Sequence, residues 1–198
     1  MSENADPTMT SSAPDTRTTI KEVFSRHLAR LGYEGLSLEA LAQEVGIRKA
    51  SLYHHFPGGK ETLYAAVVHD YIDEQAALFT AALDGDLDLE DRLTRIVAGL
   101  ADPGGSATSF GQRIFDALES VKPDTRIELS EEYVGRLLKP VEELFAGEIE
   151  RGRLAGADAG LMSTAFLHLA RAVDMTAGDV EESARALARL FLLGAVPR

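Results

Sequence analysis

The sequence predicts an all-α protein in two parts: a three-helix head of helix-turn-helix type and a helical bundle body of about six helices. Three observations predict it. Apolar residues recur at intervals of three and four along most segments, as in Ile20, Val23, Phe24, Leu28 and Leu31. Those segments are separated by clusters of helix-breaking residues such as Asp84-Gly85-Asp86 and Asp102-Pro103-Gly104-Gly105. Finally, the stretch from Ser37 to Phe56, SLEALAQEVGIRKASLYHHF, holds two short periodic runs hinged at a single glycine.

Residues 1–15 are rich in Ser, Thr, Asp and Pro with little to bury, which predicts a disordered tail. A first helix follows from Thr16 and stops at Gly32, with Thr19 and Glu22 at capping-box spacing and Arg17, Lys21, Arg26 and Arg30 on its polar sides. Ser37 fits the N-cap of the second helix, whose Leu38, Leu41, Ala42 and Val45 share one face. Gly46 ends that helix where a left-handed residue is needed, a conformation that costs a residue with a Cβ about 1 to 2 kcal/mol. Ile47 restores an apolar contact and a third helix begins at about Arg48. In it Leu52 and Phe56 stand four apart and face inward, which turns Ala50, Ser51 and His54 outward with Tyr53 on the flank. Short, polar and aromatic residues on an outward helix face suit the DNA major groove, where base edges are read. Arg48, Lys49 and Tyr53 lie near enough to meet phosphates. The head is placed at 16–60.

The body is placed at 61–198. A long helix from Lys60 carries Leu63, Tyr64, Val67, Val68, Tyr71, Ile72, Leu78, Phe79 and Ala82 before Asp84-Gly85-Asp86. His69 and Asp73 lie four apart on it; two ligands on an exposed face are a solvated pair, and no metal or other cofactor is expected. Further helices run from about Leu89 to Ala101, from Phe110 to Val121, and from Ser130 to Gly152, the last with a kink expected at Pro140. The two final helices, Asp158 to Thr176 and Asp179 to about Leu193, are apolar on more than one side, and Asp179 with Glu182 resembles a capping box. One face serves the protomer's own core. The other needs a cover, and a second copy of the chain is the economical one, which predicts a two-fold homodimer through about 158–193.

Composition narrows the class. The chain has 198 residues, 45% apolar and 26% charged, no cysteine and no apolar run long enough for a membrane helix, and its first residues lack the blocks of a signal peptide. Disulfides and thiolate metal sites are excluded, and a cytoplasmic protein is expected. The net charge of −12 is unevenly spread: residues 1–15 hold three acids and no base, 16–60 seven bases and four acids, and the rest thirteen bases and twenty-five acids. Only the head is positive, so an acidic body would repel DNA everywhere else. No nucleophile-base set, nucleotide fingerprint or metal-ligand cluster points to an enzyme.

Gly32-Tyr33, Ser37, Leu41-Ala42, Gly46-Ile47, Ser51-Leu52-Tyr53-His54-His55-Phe56, Lys60-Glu61 and Leu63 stand in fixed register, and at these residues the chain resembles the TetR/AcrR family of bacterial transcriptional regulators. The resemblance covers Thr16 to Val68, about a quarter of the chain. It departs at Pro57-Gly58-Gly59, which puts one residue more than the usual tight turn between Phe56 and Lys60. The resemblance implies a dimeric repressor of a palindromic double-stranded DNA operator, with a small-molecule inducer in the body and the long helix from Lys60 as connecting lever. It also brings Ser37, His55 and Lys60 toward the DNA backbone.

The expected DNA-binding set is therefore Ser37, Arg48, Lys49, Ala50, Ser51, Tyr53, His54, His55 and Lys60. For the inducer, inward aromatics with a few polar groups are the candidates: Phe79, Phe110, Arg113, Phe115, Tyr133, Leu137, Phe166 and His168. The apolar ones serve equally well as plain core. A ligand-independent regulator, an activator, or a small-molecule-binding protein with a vestigial head stay open as alternatives.

Overall fold

The computed structural model describes residues 15–101, 110–155, 158–176 and 178–195, and among them every regular element is a helix. The head comprises α1 (Thr16–Gly35), α2 (Leu38–Val45) and α3 (Lys49–His55). Beyond it lie α4 (Lys60–Leu83), α5 (Leu89–Leu100), α6 (Phe110–Ala117), α7 (Pro123–Tyr133), α8 (Lys139–Glu150), α9 (Ala159–Ala170) and α10 (Val180–Ala195). Apart from Asp15, the tail expected over 1–15 lies outside the described residues, as does the turn expected at Asp102-Pro103-Gly104-Gly105.

α1 buries Ile20, Val23, Phe24 and Leu28 along one stripe, together with His27. It begins a turn before the Thr19–Glu22 spacing suggests, and the Thr19 hydroxyl donates to the Asp15 carbonyl instead of capping a helix. Gly32, at φ 69° and ψ 172°, breaks its regular course as expected. α2 ends at Gly46, at φ 78° and ψ 25°, and the Ile47 N–H returns to the Ala42 carbonyl at 2.9 Å. That bond satisfies a carbonyl the helix end would otherwise leave open, and it points the chain into α3.

α4 has 24 residues, so at about 1.5 Å each it is long enough to run from the head well into the body. Its Leu63, Tyr64, Val67, Val68, Ile72, Phe79 and Ala82 are buried, which joins the two parts by one continuous core. His69 and Asp73 bind it laterally: His69 Nδ1 lies 2.5 Å from Glu132, and Arg136 donates to Asp73 at 2.5 Å. The pair thus stitches α4 to α7 and the turn after it.

The helix expected from Ser130 starts at Pro123, because a proline in the first turn lacks only an N–H that the helix would not use. It also runs past Pro140. Ahead of that residue, Val134–Leu138 widen into a π-turn with hydrogen bonds to the fifth residue back, which gives space for the ring against the carbonyl of Arg136 and lets α8 continue. α10 packs along α5, with Arg185 on Asp91 at 3.2 Å and Arg189 on Glu90 at 2.8 Å. α9 passes into a 3₁₀ stretch, Arg171–Met175, and the Asp179 side chain accepts from the Glu182 N–H at 2.9 Å to open α10.

Candidate nucleic-acid interface and body cavity

In the head, α1 and α2 act as a cradle for α3. Glu44 on α2 accepts from Arg26 at 2.8 Å and lies 2.6 Å from Nε2 of the buried His27, so two α1 side chains hold one carboxylate. Those hydrogen bonds, Arg26 first and His27 next, keep the Glu44 carboxyl below the usual carboxylate range. Leu52 and Phe56 are fully buried against this cradle, and Lys49, Ala50, Ser51, Tyr53 and His54 are exposed, as the four-residue spacing predicts. Ser37 caps α2 by accepting the Ala40 N–H at 3.5 Å, and Arg48 precedes α3 with an exposed side chain. Lys49 pairs with Glu39 at 3.3 Å, both exposed.

Tyr53, 43% exposed, is set by the departure at Pro57-Gly58-Gly59. Gly59 adopts φ 66°, and a Cβ there would come within 3.0 Å of the Tyr53 ring. The turn therefore lets backbone lie against the tyrosine, an approach open only to glycine. His55 is partly buried, edge-on to His54 at 5.8 Å. Its carbonyl accepts from Arg17 Nη1 at 2.6 Å while the Arg17 guanidinium covers the Phe56 ring at 4.3 Å. A cation is thereby seated at the carbonyl end of α3, where the helix dipole favours it. Spacing placed Arg17 only on a polar side of α1; its partner is 38 residues away in sequence.

Lys60 turns toward the protein. Its Nζ lies over the Tyr33 ring at 4.3 Å, and burial pushes its ammonium below the usual lysine range, against Glu34, which raises it. Tyr33 meets Tyr64 edge-on at 5.2 Å, and the Tyr64 hydroxyl, kept protonated by burial, donates to the Ile114 carbonyl of α6 at 2.7 Å. A chain of ring contacts thus joins the start of α4 to the body.

The eight body candidates separate. Phe79, Leu137 and Phe166 are buried in the core, and Phe110 lies edge-on to Tyr71 at 5.8 Å. Arg113 reaches back toward the head, its Nη1 3.7 Å from where a Gly32 Cβ would stand, with Nε buried and without a partner among the described residues. Phe115, Tyr133 and His168 come together in a cavity of about 390 Å³, where the two rings meet edge-on at 4.8 Å. Gln112, Leu138, Thr164, Leu167 and Arg171 complete its lining. The sequence reading missed these; the spacing of Thr164, His168 and Arg171 on one helix face was the available signal.

A second depression, about 580 Å³ and almost wholly apolar, lies between α9 and α10, lined in part by Leu161, Met162, Leu190 and Phe191. Leu161 is 67% exposed, Leu190 58% and Leu193 81%. Among the described residues no three His, Asp or Glu side chains stand close enough to hold a metal ion, and no helix is long and apolar enough to cross a membrane.

Comparison with known proteins places this geometry. Residues 20–67 match the family described as bacterial regulatory proteins, tetR family. The chain is 39% identical over 66 residues to the HTH-type transcriptional regulator LmrA of Bacillus subtilis, a match spanning 32% of this chain and 35% of that protein. It is 23% identical over 176 residues to IcaR of Staphylococcus aureus, the biofilm operon icaADBC HTH-type negative transcriptional regulator, covering 81% of this chain and 90% of that one. Among solved structures, the TetR family transcriptional regulator PfmR of Thermus thermophilus superposes with a TM-score of 0.74 at 25% identity, covering 88% of this chain and 97% of PfmR. AibR in complex with isovaleryl coenzyme A and operator DNA superposes at 0.73 with 19% identity, covering 89% of this chain and 97% of AibR.

Proposed function

Given that the chain belongs to the TetR/AcrR family of bacterial transcriptional regulators, we propose that it is a homodimeric repressor whose paired heads hold a palindromic operator and let go when a small molecule fills the body. The observation that carries the DNA half of this reading is α3, a helix anchored by Leu52 and Phe56 with a short polar face turned outward. Residues 16–60 are the reading head and 61–198 the body that binds ligand and partner.

In this reading Ala50 and Ser51 meet base edges, while Arg48, Lys49, Tyr53, His54 and His55 position the head on phosphates, with Ser37 at the exposed start of α2. Lys49 exchanges its exposed pairing with Glu39 for a phosphate, a small loss, since such a pair contributes about 0.2 to 1 kcal/mol. Lys60 supports the fold through Tyr33 more than it supplies charge to DNA. A two-fold dimer closed by Leu161, Leu190 and Leu193 would set half-sites about 34 to 36 Å apart or a multiple of it. The similar fold of AibR, seen in complex with isovaleryl coenzyme A and operator DNA, supports a body that receives a small molecule. A coupling of about 1 to 3 kcal/mol would weaken operator binding some 5-fold to 150-fold.

A mobility-shift titration against DNA upstream of the coding region, at several salt concentrations, tests the reading. Lys49→Gln and Tyr53→Phe are expected to weaken binding to all sequences alike, with the lysine change reducing the salt slope by about one. Ser51→Ala is expected to change which operator is preferred. No retention of any duplex at low salt would overturn the reading, and so would a change of operator preference in the lysine variant with none in the serine variant.

A further inference from the structure

The cavity between α6, the π-turn and α9 combines an apolar wall with two basic side chains. Resting on the reading above that the body receives a small molecule, we infer that this cavity binds an organic anion: a carboxylate on a compact aromatic or aliphatic body, with Arg171 holding the charged end.

Five of the body's arginines hold carboxylates, and Arg171 is not among them. Arg136 holds Asp73 and Glu132, Arg151 and Arg153 hold Glu148, and Arg185 and Arg189 hold Asp91 and Glu90. Arg171 takes part in no ion pair among the described residues; its guanidinium lies over the Phe115 ring, 5.1 Å from the centroid. Stacking occupies the face of a guanidinium and leaves its N–H rim, which matches the two oxygens of a carboxylate.

Gly111 lies beside this arrangement and leaves it uncrowded. A Cβ there would stand 3.2 Å from Arg171 Nη1 and 2.6 Å from the Tyr71 hydroxyl, so any side chain would displace one of them. On the α9 side, Thr164, His168 and Arg171 follow one another at helical spacing and present a hydroxyl, an imidazole and a guanidinium along one face. Phe115, Tyr133, Leu138 and Leu167 supply the apolar remainder. An apolar wall with charge at one end selects a molecule divided in the same way. At about 390 Å³ the volume suits a compact acid better than a long chain. A carboxylate entering the cavity gives up hydration and gains a held guanidinium; its neutral amide gains the wall alone.

Titration calorimetry on the full-length protein tests this with 3-phenylpropanoate and octanoate and the primary amide of each. Both acids are expected to bind, with the amides weaker by about tenfold or more, the strength of a charge-assisted hydrogen bond. Arg171→Gln is expected to abolish the preference for acid over amide, and Phe115→Ala to weaken acid and amide together. Equal binding of acid and amide, an undiminished acid preference in Arg171→Gln, or no binding of either acid at millimolar concentration would overturn the inference. Operator retention measured alongside keeps the two proposals apart. Acids that bind without releasing DNA sink induced release and leave the anion site standing, whereas operator binding with no uptake of acids sinks the anion site and leaves the DNA-binding regulator standing.

Discussion

The outward faces of α3 and α10 are both exposed, yet they are made of different material. α3 buries Leu52 completely, with Phe56 just past its end buried as fully, and shows solvent Ala50, Ser51, Tyr53 and His54. α10 buries only Ala184, Ala188 and Ala195, and shows leucines at 190 and 193. Exposure alone says that something can be met there. The chemistry of the exposed face says what kind of thing: a hydrated, hydrogen-bonding surface for α3, an apolar one for α10.

The largest test of that contrast is to reverse it. In the proposed dimer, Leu190→Glu combined with Leu193→Glu is expected to give monomers in sedimentation velocity and to lower operator affinity by about 100-fold or more, since a second head would no longer bind as part of the same molecule. Dimers that persist would remove the distinction drawn for α10. A smaller effect follows from the hinge that aims α3. Gly46→Ala forces a Cβ into a left-handed residue and should destabilise the head by about 1 to 2 kcal/mol, read as an earlier thermal transition with loss of DNA binding.

The smallest effect concerns pH and lies in the body. Hydrogen bonds from Arg153, aided by the charge of Arg151, hold the carboxyl of the buried Glu148 below the usual carboxylate range. The folded state therefore favours its ionised form. That stabilisation is complete at neutral pH and is lost as pH falls through the folded pKa. Glu148→Gln is expected to lower the melting temperature at pH 7 and to flatten the acid side of its pH profile, while operator affinity at pH 7 stays unchanged. An acid limb as steep as the parent's would assign the pH dependence to other carboxylates, Glu44 of the head among them.

Much of the head was legible because its determinants are local. Gly32, Ser37, Gly46, Leu52 and Phe56 act on neighbours within one or two helical turns, and spacing alone orders them. What escaped was long-range: Arg17 on the His55 carbonyl and Lys60 on Tyr33 depend on segments brought together by the fold. In the body the periodic pattern found the helices but misjudged one start, since Pro123 reads as a breaker until its place in the first turn is known. The cavity was the least legible part. Phe79 and Phe166 have the same residue type as Phe115, and only the packing of three elements decides which ring faces core and which faces open space.

The π-turn before Pro140 reaches further than the continuity of its helix. In a regular α-helix Tyr133 and Leu138, five positions apart, would project about 140° from each other. An i→i+5 turn sets such positions nearly one above the other, and both line the same cavity. A change in backbone winding, set ahead of a ring that cannot donate a hydrogen bond, thereby shapes a cavity wall: Leu138, within the turn, joins Tyr133 on the lining.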